Sequence, residues 1–241
     1  MTPPSDRRAE WFVPTVGPLR FRIAVGLLFL PYTSMVLGFT VIGGMLAPVV
    51  HWDRVAALLW IYFWGLGVAA HALDAIGSTV DTIGNQRVKP WGEHFSKRQL
   101  YGVALLALVA AYGVGLYYIL FVSPWLGAIA LLEGFFLFAY NLEWFGGRCH
   151  TDGGFAFSWG VLPTLAGYIL QTNRISAAAI VISVAMGAIS LIEINASRPY
   201  KEMKRRGETD PVVFRLEVLL KCVSGGVILL AIGMALWRAG G

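Results

Sequence analysis

Seven long apolar segments follow one another along the chain, separated by short polar stretches. A helix needs about 20 consecutive apolar residues to cross the hydrocarbon core of a bilayer. Windows of this kind lie at residues 22–48, 54–76, 99–122, 125–142, 154–171, 175–196 and 212–237. The pattern therefore predicts an all-α protein, built as a polytopic membrane bundle of about seven transmembrane helices.

The composition agrees with this prediction and excludes an ordinary soluble domain. Hydrophobic residues make up 57% of the chain, and charged residues only 14%. We expect an integral membrane protein in which residues 1–241 form a single transmembrane domain. Cys149 falls in a predicted polar loop and Cys222 in an apolar segment, so the sequence indicates neither a disulfide framework nor a thiolate metal site.

The charge of the chain predicts its orientation. The net charge is +5, and basic residues precede the first apolar segment and follow the second, fourth and sixth. The connections on the other side receive only Arg54, Arg174 and Arg238. The positive-inside rule then places the N-terminal tail, residues 1–21, in the cytoplasm and the C-terminus outside the cell membrane. Basic residues in these positions are typical of topology determinants, so we expect no nucleic-acid partner.

The predicted cytoplasmic connections are also the long ones, at residues 77–98, 142–153 and 197–211. The connections on the opposite side are short and contain turn-forming residues. Functional residues are disproportionately carried by loops that a rigid scaffold positions. We therefore expect the active site on the cytoplasmic side.

Acidic residues stand at the end of the second apolar segment. Asp74 and Asp81 are seven residues apart, so on a helix their carboxylates share a face, which His71 joins. Carboxylates at a membrane boundary are costly unless they bind something, and this spacing suits Mg²⁺. The alternative is that both acids lie in a solvated loop and cap the helix end. Arg87 and Lys89 follow closely, and acids, a metal and cations together are typical of a diphosphate site.

The stretch LDAIGSTVDTIGNQRVKPWGEHFS, residues 73–96, resembles the first signature of the UbiA superfamily of membrane prenyltransferases. Asp74 and Asp81 fall on the first and third aspartates of that signature. Leu73 and Gly77 stand where the family has asparagine and the middle aspartate. The family usually has nine helices, so a bundle of seven would have a wider lateral opening or would need a partner to close it, for which an oligomer is one possibility.

Two later stretches extend the resemblance. Tyr140, Arg148 and the glycine-rich run that begins at residue 153 resemble the family's fourth helix, basic loop and fifth helix. The stretch SLIEINASRPYKEMKRRGE, residues 190–208, occupies the place of the second acidic signature. The oxygen ligands there include Glu193 and Asn195.

The resemblance implies the roles of individual residues. Asp74, Asp81 and Glu193 would be the catalytic and metal-binding residues, and Mg²⁺ the cofactor. The substrate-binding residues would be Arg87, Lys89, Tyr140, Arg148, Asn195, Arg198 and Lys201.

The implied function is transfer of an isoprenyl group from an isoprenyl diphosphate to a lipophilic acceptor in the membrane. Cyclisation of the donor, as in UbiA-type terpene cyclases, is an alternative within the superfamily. Another alternative is a non-catalytic lipid-binding or assembly protein, because Gly77 replaces an expected acid and the second acidic signature is not reproduced. A small transporter is a third, although the polar residues gather at one face and leave little to line a path across the membrane.

Two further acids lie inside apolar segments. Glu133 is expected either to face the cavity of the predicted site or to pair with a donor not identified in the sequence. Glu217 and Lys221 are four residues apart and are expected to pair with each other.

Overall fold

The computed structural model describes residues 10–77, 82–83, 86–87 and 94–240, and it is helical almost throughout. The α-helices are α1 Leu19–Leu27, α2 Leu30–Met45, α3 Trp52–Tyr62, α4 His71–Gly77, α5 Lys97–Phe121, α6 Trp125–Asn141, α7 Asp152–Ala156, α8 Leu162–Thr172, α9 Ala177–Arg205 and α10 Pro211–Gly240. The other elements are the π-helical segments Phe63–Ala70 and Phe157–Val161, the 3₁₀ helix Trp144–Gly147, and an antiparallel pair of two-residue strands, β1 Thr82–Ile83 and β2 Gln86–Arg87.

Six helical segments within the described residues are long and apolar enough to cross a membrane. They are Leu19–Met45, Trp52–Ile76, Lys97–Phe121, Asp152–Thr172, Ala177–Lys204 and Pro211–Gly240. The segment Trp125–Asn141 is also apolar but shorter. The predicted all-α class is confirmed, and the apolar helices agree with an integral membrane protein.

The helical segments form a ring. Each one packs against the next along the chain, and α10 packs against α2, which closes the ring. α2 also packs along α8. The two backbones are so close at Gly43 that an added Cβ would lie 1.9 Å from the carbonyl oxygen of Thr164. Small residues of this kind let transmembrane helices approach closely.

The first segment is broken between α1 and α2. Pro31 lies at the start of α2, where a proline is tolerated because its missing N–H would have no helical partner. Phe29 links the two helices with φ 43°, a left-handed backbone conformation that is uncommon for a bulky residue. The break holds the buried Phe29 ring against the second segment, where it stacks on His71 with a centroid distance of 4.9 Å.

The structure differs from the sequence-based boundaries at residues 197–211. Most of this predicted loop continues α9, which ends at Arg205, and only residues 206–210 connect it to α10. Lysine, arginine, glutamate and methionine are good helix formers, so the helix extends beyond the apolar window.

Candidate functional site

The second segment presents His71 and Asp74 on α4, directly after the π-helical turns of Phe63–Ala70. His71 is buried, and its Nδ1 lies 3.2 Å from the carbonyl oxygen of Leu66. Asp74 is half-buried. π-Helical turns inside α-helices are frequently found at functional sites.

Three predicted site residues on the following connection are described only in part or not at all. Asp81 and Lys89 lie outside the described residues. The backbone of Arg87 belongs to β2 and pairs with Thr82. Their predicted roles therefore stay predictions.

An ion pair joins α9 to the start of α7. The Arg198 guanidinium group contacts the Asp152 carboxylate. The charges of Arg198, Asp74 and Asp152 all act on the Tyr140 hydroxyl group electrostatically. Tyr140, Arg198 and Asp74, predicted from separate parts of the sequence, are thus brought into the same region of the structure.

A second charged group lies on the buried face of α9. Glu193 is 1% exposed, and its Oε1 has no hydrogen-bond partner among the described residues. The nearby Ser197 hydroxyl group donates to the Ile194 carbonyl oxygen at 3.3 Å. The charge of Lys201 acts on the Glu193 carboxyl group. The Lys201 Nζ also lies 4.6 Å and 4.5 Å from the ring centroids of Phe29 and Tyr32. A cation over two aromatic rings is stabilised by their electron-rich faces.

A continuous row of rings connects these two groups. The aromatic row consists of Tyr32, Phe29, His71, Trp159, Phe155 and Tyr140. Neighbouring ring centroids in the row lie between 4.9 Å and 6.1 Å apart. Lys201 lies at one end of the row and Arg198 beside the other.

The N-terminal segment covers one end of the aromatic row. The Phe12 ring lies 5.3 Å from the Phe29 ring and 6.4 Å from the Tyr32 ring. The Trp11 backbone N–H donates to the Tyr200 hydroxyl oxygen at 3.2 Å, and Tyr200 is fully buried. This segment therefore packs onto the row as part of the folded structure.

Two predicted substrate-binding residues are not brought to this cluster. Asn195 lies on the exposed side of α9, where its Nδ2 donates to the Leu191 carbonyl oxygen of the same helix at 2.8 Å. Arg148 lies exposed in the connection between α6 and α7. Asn195 is two positions from Glu193, a spacing that turns their side chains to opposite sides of a helix.

Potential metal ligands do not cluster in threes among the described residues. No three histidine, cysteine, aspartate or glutamate side chains in this part of the chain lie close enough together to hold a metal ion. Asp74 supplies one carboxylate, and Asp81, its predicted companion, lies outside the described residues.

The predicted site includes neither most of the aromatic row nor Asp152, the partner of Arg198. Phe29 and Tyr32 are three residues apart, and Phe155 and Trp159 are four apart, a spacing that in a regular α-helix would place each pair on one face. That spacing was visible in the sequence, but it does not say which helix the face meets. Asp152 was visible at the start of the fifth apolar segment, while its pairing with Arg198 depends on how α7 packs against α9.

No family model, no curated protein and no solved structure matches this chain.

Proposed function

We propose that the protein is a membrane prenyltransferase that transfers an isoprenyl group from an isoprenyl diphosphate to a lipophilic acceptor. The observation that carries the proposal is the aromatic row, which has a cationic side chain at each end and Asp74 beside it. An isoprenyl diphosphate combines an apolar chain with a polyanionic head. Aromatic rings suit the chain, and cations suit the head.

The cations of the site would act on the leaving group. The diphosphate gains negative charge as the bond to the isoprenyl carbon breaks. Positioned cations stabilise that charge more in the transition state than in the bound substrate, which is what accelerates the reaction. Arg198 presents a planar fork that matches phosphate oxygens, and Lys201 adds a point charge.

The aromatic row would act on the isoprenyl group. Departure of the diphosphate leaves an allylic cation, and the faces of aromatic rings attract cations. The Lys201 ammonium group already occupies such a position over Phe29 and Tyr32. A donor chain that lies on these two rings would displace Phe12 from them.

Mg²⁺ is the cofactor that this proposal requires, and when bound it would neutralise part of the diphosphate charge. Asp74 and Asp81 would hold it. Mg²⁺ is commonly bound through one or two carboxylates, with waters and substrate phosphates as the remaining ligands, so a three-residue protein cage is not needed. Glu193, beside Lys201, is the third proposed acid of the site.

The proposal includes a UbiA-like bundle in the cell membrane with seven spans, counting Trp125–Asn141. A helix of 17 residues is about 25 Å long, close to the thickness of the hydrocarbon core. The N-terminus and the site would then face the cytoplasm.

Turnover by the purified protein in nanodiscs tests this function. We expect Mg²⁺-dependent release of diphosphate from isoprenyl diphosphates of suitable length in the presence of a membrane lipid extract, and a prenylated lipid in the mass spectrum. A cyclic product formed from the donor alone would instead identify a cyclase.

Asp74→Ala should lower diphosphate release by about 100-fold or more, because it removes a group that positions charge at the leaving group. Asp53→Ala is the matched control. Asp53 is exposed at the start of α3, about 30 Å from Asp74 along the same helical segment, and should leave turnover unchanged. Unchanged turnover in Asp74→Ala would refute the assignment.

A further inference from the structure

A cavity of about 70 Å³ lies among α3, α5 and α6, apart from the charged groups of the proposed site. Its walls are almost entirely apolar, with Leu66, Leu126 and Leu137 among them. The polar side chains that line it are Tyr62, Tyr112 and Glu133. The proposed prenyl transfer uses none of these three residues.

Glu133 is the unusual member of the lining. Tyr62 donates a hydrogen bond from its hydroxyl group to Glu133 Oε1 at 3.0 Å. The other oxygen, Oε2, is buried and has no hydrogen-bond partner among the described residues. This confirms the expected donor from another helix, whereas the cavity that Glu133 lines is not that of the predicted site.

An acid in this position is costly in either protonation state. An ionised carboxylate inside an apolar helix bundle needs a second donor or a cation. A protonated carboxyl group needs an acceptor for its O–H. In both states Oε2 needs a hydrogen-bond partner, and a molecule bound in the cavity would supply it. A hydroxyl group satisfies both states, because it donates and accepts.

Tyr112 lines the cavity and also reaches the outer surface of the bundle. This side chain is 42% exposed, and its hydroxyl group reaches across to α6, where it donates to the Ala130 carbonyl oxygen at 3.4 Å. A Cβ on Gly134 would lie 2.5 Å from the same hydroxyl oxygen, so Tyr112 rests directly on the α6 backbone. Because α5 is a candidate membrane span, an exposed side chain on it faces lipid.

Two glycines create part of the space. Gly65 and Gly115 line the cavity, and a Cβ on either would meet its nearest neighbour at 3.8 Å, an ordinary contact distance. The chain therefore leaves room here that alanine would fill without a clash.

We propose that this cavity is a binding site for a lipophilic alcohol, which enters from the lipid beside Tyr112 and places its hydroxyl group on Glu133. The apolar walls hold the first part of the hydrocarbon chain, and the rest extends past Tyr112 into the bilayer. The site is independent of the diphosphate site.

Photolabelling with a long-chain primary alcohol that carries a diazirine near its hydroxyl end tests the proposal. The protein is labelled in nanodiscs, and the labelled peptides are identified by mass spectrometry. We expect labelling concentrated on peptides of α3, α5 and α6. Unlabelled dodecanol should compete, whereas dodecane, which lacks the hydroxyl group, should not.

Two variants test separately the contact of the alcohol's hydroxyl group with Glu133 and the cavity volume that the alcohol needs. Glu133→Leu should reduce labelling by about 10-fold, the loss expected when a hydrogen bond to a carboxyl group is removed. The double variant Gly65→Ala and Gly115→Ala keeps Glu133 but fills the cavity, and it should also reduce labelling while remaining folded. Glu217→Gln is the matched control, since that acid pairs with Lys221 and lies outside the cavity lining.

Labelling of these peptides in the wild type that is no stronger than the background on the rest of the protein would overturn the proposal. The cavity would then bind no alcohol. Equal competition by dodecane, or stronger competition by dodecylamine than by dodecanol, would overturn the assignment of a hydroxyl ligand. Competition in the wild type gives an answer even where Glu133→Leu fails to fold.

Discussion

At the scale of single residues, the site depends on charges that are held by neighbours from other helices. Arg198 contacts Asp152 across the α7–α9 interface and lies beside Tyr140 of α6. Glu217 Oε1 lies 2.7 Å from the Lys221 Nζ of its own helix, which confirms the predicted i, i+4 pair. Glu217 is also held by α9, because its Oε2 accepts a hydrogen bond from Tyr200 at 3.0 Å and lies 3.4 Å from the Lys204 Nζ. Glu217 therefore joins α10 to α9, whereas Arg198 joins α9 to α7 beside the aromatic row.

Arg198→Lys should raise the KM for the isoprenyl diphosphate by about 10-fold. Lysine keeps the charge and can still pair with Asp152, but it loses the planar fork that binds two phosphate oxygens at once. Steady-state kinetics with varied donor concentration measures this change.

Arg206→Lys is the control for that change. Arg206 follows the same helix and also contacts acids, Glu202 and Glu208, but away from the aromatic row. Its replacement should leave the KM unchanged. An equal rise in both variants would mean that Arg198 contributes only general positive charge.

At the scale of elements, glycines set the distance between α2 and α8. A Cβ on Gly167 would lie 2.2 Å from the Thr40 carbonyl oxygen, and Gly43 is as tightly placed against Thr164. These contacts involve backbone atoms, which cannot turn aside as a flexible side chain can. The position of α2, and with it Phe29 and Tyr32, follows from this close approach.

Gly43→Ala should therefore destabilise the protein and lower its Tm in detergent, because α2 and α8 must separate to admit the methyl group. Gly113→Ala is the matched control, since a Cβ there meets nothing within 4 Å. That substitution should be neutral or stabilising by roughly 0.5–1 kcal/mol, because alanine favours the helix more than glycine. A loss of stability in Gly113→Ala equal to that in Gly43→Ala would contradict this explanation.

The helices were largely predictable from the sequence, because apolar runs long enough to span a bilayer leave few other structures. The predicted end of α9 lies too early in the chain, because Lys201 and Glu202 are charged and Met203 lies between charged residues. These residues nevertheless continue the helix. The aromatic row was not predictable in the same way. Its rings come from α2 and the residue before it, from α4, α6 and α7, and from the π-helical segment Phe157–Val161. Which faces meet depends on packing over the whole ring of helices.

At the scale of the whole molecule, the proposed orientation places the aromatic row and both cations at one side of the membrane. Cys149 follows α6 and lies in the same connection as Arg148, whereas Val49 lies exposed between α2 and α3. If all seven segments cross the membrane, these two positions are on opposite sides. If Trp125–Asn141 does not cross, they are on the same side.

A membrane-impermeant maleimide should label Cys149 only in inside-out vesicles, measured in a Cys222→Ser background. Val49→Cys, made with Cys149→Ser and Cys222→Ser, should be labelled only in right-side-out vesicles. Labelling of both positions from one side would contradict the seven-span arrangement.

Calorimetric titration of the purified protein with a non-reactive isoprenyl thiodiphosphate measures whether the aromatic row, with Asp74, Arg198 and Lys201, binds an isoprenyl diphosphate. We expect one molecule bound per chain, with affinity at least about 10-fold higher in Mg²⁺ than in a chelator. Binding should be lost in Asp74→Ala and kept in Glu133→Leu. Equal affinity with and without Mg²⁺, together with unchanged binding by Asp74→Ala, would contradict the account and indicate a protein that binds lipid without metal.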